Sequence, residues 1–145
     1  MADSLTFSLL VSPRDLDAFV ANVSSRLEPC PEFRAETLLA VAAGHASTEL
    51  ELTFRFPPDA TLEAFAAEHP DAAGTTAGQI AFGALFATAH FRGDDVEVAF
   101  FTTSRALTAI LRESAQVRAF FRALGRFSTD GRVLVTDEQN DSSPL

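Results

Sequence analysis

The residues able to do chemistry are few and scattered. Three histidines, His45, His69 and His90, fall in a presumed helix, a loop and a strand. No pair has metal-ligand spacing, and a closed zinc site needs four well-placed ligands, so no metal site and no cofactor is expected. Cys30 lies between two prolines in Glu28-Pro29-Cys30-Pro31-Glu32. Neighbouring acids disfavour a thiolate, and a thiol without an activating base is a weak nucleophile. The stretch Gly74-Thr75-Thr76-Ala77-Gly78 is small and flexible but lacks the lysine and the following helix of a phosphate-binding loop. No Gly-x-Ser-x-Gly elbow is present. Asp94 and Asp95 read as turn residues, because a calcium loop needs a longer run of oxygen ligands. No catalytic residue is assigned, and the chain is expected not to be an enzyme.

Two other features rise above this background. The first is an arginine ridge. Residues 104–132 hold six arginines and two acids, a net +4, against −13 in the remainder and −9 overall. At about 100° per residue, Arg118, Arg122 and Arg126 share one helical ridge. Solvated charge is the ordinary explanation, and an anion-binding or acidic-partner surface is the functional one, since arginine forks match phosphate. Glu113 falls on the apolar side of the same wheel, near Val117 and Phe120. A buried carboxylate is costly without a partner. It is therefore expected to form an ion pair, with Arg55 or Arg92 as candidates, to be a pocket acid, or to sit where the helix is exposed.

The second feature is a hairpin over Gln79–Phe91 and Val96–Thr102, joined by Arg92-Gly93-Asp94-Asp95. Strict alternation puts Ile80, Phe82, Ala84 and Phe86 on one face. It puts Ala81, Gly83, Leu85, Ala87, Ala89 and Phe91 on the other, so both faces are small or apolar. If helices cover one side only, the other is an interface patch. Leu85, Ala87 and Phe101 are the candidate contacts there, and the acidic strand face Glu49 and Glu51 is a separate candidate.

The remaining elements must position these residues. Leu5, Phe7, Leu9 and Val11 alternate as a strand, and Leu16, Phe19, Val20, Val23 and Leu27 repeat as a helix behind a Ser12-Pro13 start. A second helix spans Phe33 to about Ala43. Leu50, Leu52, Phe54 and Phe56 oppose Glu49, Glu51, Thr53 and Arg55 along a strand that Pro57-Pro58 ends. Asp59 can cap a short helix carrying Leu62 and Phe65. His69–Gly78 reads as a loop, about 104–127 as one long helix behind Thr103 or Ser104, and Arg132–Thr136 as a last strand. The order β-α-α-β-α-β-β-α-β predicts an α+β fold with one mostly antiparallel sheet and helices on one face. The expected division is one domain over 1–136 and a frayed acidic tail over 137–145.

A chain of 145 residues can bury enough surface to fold without staples, and a single cysteine excludes an internal disulfide. Fourteen Phe with no Tyr and no Trp suit a dry core, a greasy pocket or an apolar interface. Eleven arginines without a lysine, with abundant alanine, point to GC-rich bacterial coding. The charge of −9 argues against nucleic acid and anionic membrane as partners and favours steering towards a basic protein. The early Asp3 without a basic segment does not read as a signal peptide, so a cytoplasmic setting is expected. In size, acidity and α+β pattern the chain is similar to small bacterial immunity or antitoxin-like inhibitors, a likeness that no particular residue carries. The leading expectation is a non-catalytic binding module that neutralises a basic toxin or enzyme, or that pairs with itself as a homodimer. The alternative is a carrier or sensor holding a small apolar ligand in a Phe-lined cavity.

Overall fold

Alternating apolar residues build most of the sheet, and one bulge shifts its internal register. The computed structural model describes residues 4–45, 49–70, 73–76, 78–137, 139 and 141–145. Strands β1 (Leu5–Val11), β2 (Leu50–Phe56), β3 (Ala73–Thr76), β4 (Gln79–Arg92), β5 (Asp95–Thr102), β6 (Leu134–Asp137) and β7 (Ser142–Pro144) form one antiparallel sheet. Its order is β2-β4-β5-β1-β6-β7, with β3 also paired to the start of β4. Helices α1 (Leu16–Ser24), α2 (Ala35–Ala42), α3 (Ala60–Glu68), α4 (Arg105–Glu113) and α5 (Ala115–Ala123) complete the α+β fold.

All five helices send their buried side chains into a single apolar cluster on one face of the sheet. Nine of the phenylalanines are buried there. Phe121 packs with its ring centroid 4.8 Å from Phe7, 5.4 Å from Phe100 and 5.5 Å from Phe54. Phe54 and Phe56 each stack on Phe82. A ring without a polar atom needs no hydrogen-bond partner in such a place, which is the physical sense of the Phe-only composition. Each fully buried ring is worth roughly 1.5–3 kcal/mol relative to exposure. α2 packs against β4, on whose core face the small residues Ala87 and Ala89 are fully buried.

The periods of β1 and β2 and the Asp59 cap are as expected. Asp59 Oδ1 accepts from the Leu62 N–H at 2.8 Å and starts α3. Four expectations are corrected. Ser12 makes no side-chain cap; a 3-10 turn over Pro13–Asp15 leads into α1 instead. The loop before β4 contains β3. The tail is not frayed at 142–144, because β7 pairs with β6 and the Leu145 N–H reaches the Val133 carbonyl at 2.8 Å. The long helix is two helices, broken at Ser114.

That break is specific. Ser114 is buried, ends α4 and caps α5 by accepting from the Val117 N–H at 3.3 Å. Its hydroxyl donates to Asp59 Oδ2 at 2.6 Å. Gln116 Nε2 donates to the same oxygen at 3.2 Å and to the Pro57 carbonyl. Ser114 therefore ties the start of α5 to the start of α3, and Gln116 ties it to Pro57 just after β2. The Arg118 guanidinium donates to the Leu111 carbonyl at 3.1 Å, satisfying a carbonyl near the end of α4.

Candidate functional site: the open face of the sheet

With all helices on one side, the opposite face of the sheet carries no helix among the described residues. Its composition depends on a bulge. Between Leu52 and Phe54 of β2 the partner β4 has one extra residue, so Leu52 pairs with Leu85 and Phe54 with Phe82. The bulge falls at Gly83-Ala84 and reverses the alternation of β4. Ile80, Phe82, Leu85, Ala87 and Ala89 therefore all face the core. A Cβ at position 83 would lie 3.1 Å from Thr53 Oγ1, so any larger residue must displace the Thr53 side chain by a few tenths of an ångström.

This corrects the patch assignment. Leu85 and Ala87 are both fully buried, so neither can contact a partner. Phe101 does lie on the open face, half-buried, and its neighbour is Phe86, at a ring-centroid distance of 5.7 Å. Sheet register extends this pair into a row: Glu51, Phe86, Phe101, Thr6 and Thr136 lie side by side across five strands. The acidic strand face and the hairpin patch, read separately from the sequence, meet at Glu51 and Phe86. Glu49 is exposed just ahead of β2, and Glu51 is exposed within it. The next row is Thr88, Ala99, Ser8, Leu134 and Pro144, and the third is His90, Glu97 and Leu10. Arg92 pairs with Glu97 at 3.3 Å at the hairpin end.

The β2 edge of this face is partly closed. The Glu28 N–H bonds the Thr53 carbonyl at 2.9 Å, and the Arg55 N–H bonds the Arg26 carbonyl at 2.7 Å. Arg55 Nη2 also reaches the Leu27 carbonyl at 3.0 Å. Such cover, with exposed glutamates alongside, discourages unspecific strand addition. Phe91 at the hairpin tip is 44% exposed, the one large apolar side chain so open among the described residues.

The other candidates lie apart from this face. Glu113 is exposed at the end of α4, because the break at Ser114 resets the helical phase; it is neither a buried ion-pair member nor a pocket acid. Of the arginine ridge, Arg118 is engaged with the Leu111 carbonyl, while Arg122 and Arg126 are exposed and Arg126 lies 4.9 Å above the Phe127 ring. Burial pushes the Cys30 thiol upwards, the Phe33 N–H opposes this, and the Glu32 carboxylate 3.5 Å away adds to it. Among the described residues no group of three or more His, Cys, Asp or Glu is placed to hold a metal, and no helix is long and apolar enough to cross a membrane.

Two features of the structure carry little signal in the sequence. Phe86 reaches the open face only because of the bulge, whose single signal is a glycine inside a strand. The Asp59–Ser114–Gln116 junction had a weaker signal, a serine in the middle of an unusually long helical pattern. Comparison of the chain with protein-family models, with curated proteins and with solved structures finds no match.

Proposed function

We propose that this chain is a non-catalytic protein-binding module whose working surface is the open face of its sheet, with an immunity- or inhibitor-type role against a basic partner. The observation that carries the reading is the row Glu51–Phe86–Phe101, which places an aromatic pair next to an acidic rim on a face without helices. Aromatic residues surrounded by polar ones are the usual anatomy of a protein interface. The net charge of −9 supports electrostatic steering of a basic partner, and Glu49 and Glu51 stand at the rim where such a partner arrives. The carrier reading has less behind it, because the phenylalanines that would line a cavity pack ring against ring.

The test is affinity capture by the tagged chain at low and high salt. Wild type should retain a basic protein that the double variant Glu49→Lys/Glu51→Lys and the single variant Phe101→Arg both lose. Identical capture by all three proteins would overturn the reading.

A further inference from the structure

We propose that the outward side of α5 is a second interface, which takes an acidic helix of a protein partner on Arg118, Arg122 and Arg126. It lies on the helical side of the sheet, away from the open face, and does not depend on the reading of that face.

The first argument is pairing. Residues 105–127 carry five arginines against Glu113, a net +4 on a chain of −9. In an acidic protein, surface arginines ordinarily pair with the chain's own carboxylates. Arg34, Arg92 and Arg132 do so, with Glu36, Glu97 and Asp130. Arg118, Arg122 and Arg126 have no carboxylate partner among the described residues. The one acid within four residues of the ridge, Asp130, is taken by Ser128 and Arg132. Like charges one turn apart repel and weaken a helix, and carboxylates brought by a partner relieve that repulsion.

The second argument is order. Arg118 Nη1 donates to the Leu111 carbonyl at 3.1 Å, and the Arg126 guanidinium lies 4.9 Å from the centre of the Phe127 ring. A guanidinium has five N–H donors, so each contact steadies its group and leaves most of the donors available. Arg122 stands exposed between them. Groups held in place before binding lose less freedom when a partner arrives.

The third argument is fit. Arg118 and Arg122 are one helical turn apart, about 6 Å along the axis, and Arg126 follows in the 3-10 turn Leu124–Phe127. Carboxylates at i and i+4 of a partner helix repeat at the same pitch. The neighbouring row of α5 is Ala115, Ala119 and Ala123, all exposed, and a row this low leaves room for a second helix to lie alongside the arginines. A nucleic-acid backbone fits less well. Three arginines neutralise about three phosphates, against −13 on the rest of the chain. One helix face is a small contact of the transient class, so it is measured by titration and not by co-purification.

The probe is a fluorescein-labelled, alanine-based peptide of about 20 residues with glutamate at every fourth position, long enough to be helical. It is titrated with the full chain by fluorescence anisotropy at about 50 mM salt, where exposed charges are only partly screened. Saturable binding is expected, and none for the same peptide with glutamine in place of glutamate. Arg122→Ala/Arg126→Ala, which changes two exposed side chains and should keep its circular dichroism, should weaken binding about fivefold or more. Arg34→Ala, which removes an exposed arginine already paired with Glu36, should leave it unchanged. Phe101→Arg should also leave it unchanged, so this interface and the open face fail separately. Absence of saturable binding, equal binding of the glutamine peptide, or an equal loss in Arg34→Ala overturns the proposal. So does tighter binding of a single-stranded RNA of about 20 nucleotides, which would make the ridge a phosphate site.

Discussion

Replacing Ser114 by alanine should loosen the helical layer without touching the sheet. The serine does two jobs. Its oxygen caps α5 through the Val117 N–H, and its hydroxyl donates to the Asp59 carboxylate at 2.6 Å. Loss of an N-cap costs about 1 kcal/mol. A hydrogen bond to a charged group contributes about 1.5–3 kcal/mol, of which Gln116, already 3.2 Å from the same oxygen, can recover a part. The expected loss is therefore about 2–3 kcal/mol. At this chain length that lowers Tm by roughly 6–10 °C. Thermal unfolding followed by circular dichroism is the assay, with Ser104→Ala as a comparison. Ser104 caps α4 through the Leu107 N–H but makes no bond to Asp59, so it should cost only about 1 kcal/mol. A double-mutant cycle between Ser114→Ala and Asp59→Asn should show coupling of about 1 kcal/mol or more. A Ser114→Ala protein that melts within about 1 °C of wild type would refute the reasoning.

Further expectations concern the bulge, the two faces of the hairpin and pH. Leu85→Arg should unfold the chain, costing more than about 4 kcal/mol through an unpaired charge in the core, whereas Phe101→Arg should cost about 1 kcal/mol from the lost ring pair; urea unfolding of both distinguishes them. Gly83→Val should destabilise by about 1–3 kcal/mol by pressing on Thr53, and Thr53→Ala should restore part of that loss in the same unfolding assay. Burial opposes ionisation of Asp59, but hydrogen bonds from Ser114, the Leu62 N–H, Gln116 and the Thr61 N–H outweigh it and hold the carboxyl below its ordinary 3.8. For Asp130 the Ser128 hydroxyl leads, burial opposes, and Arg132 adds to the lowering. Because both folded-state values are depressed, their stabilisation is complete above the unfolded value and disappears as pH falls through the folded ones. Acid titration of stability should therefore show a loss below about pH 4 that is shallower in Ser114→Ala.

The sequence carried the parts of the fold that obey a single period. Leu5–Val11 and Leu50–Phe56 alternate without interruption, and their buried sets are those the pattern assigns. Asp59 ahead of an apolar helix announced its own cap. Periodicity failed where a local event shifts its phase. One extra residue at Gly83-Ala84 turned the apparent two-faced hairpin into a one-faced one and exchanged Leu85 for Phe86 on the open side. One serine reset the helical wheel and carried Glu113 to the surface. The candidate site was therefore half legible. Phe101 and the rim glutamates lie at the surface, whereas Leu85 and Ala87 do not, and Glu113 takes the exposed alternative rather than the ion pair or the pocket. Short pairings such as β3 and β7 owe their existence to a neighbouring strand already in place, which no local pattern encodes.

The claim that the open face is a protein-binding surface is tested most directly by native mass spectrometry of the tagged chain, purified at low salt from its own host, beside its Phe101→Arg variant. The account predicts a complex heavier than the 15.6 kDa chain by a whole protein partner for wild type, and its loss in the variant. A wild-type mass equal to the bare chain, or to the chain with a few hundred extra daltons on the order of a pocket ligand, would contradict it.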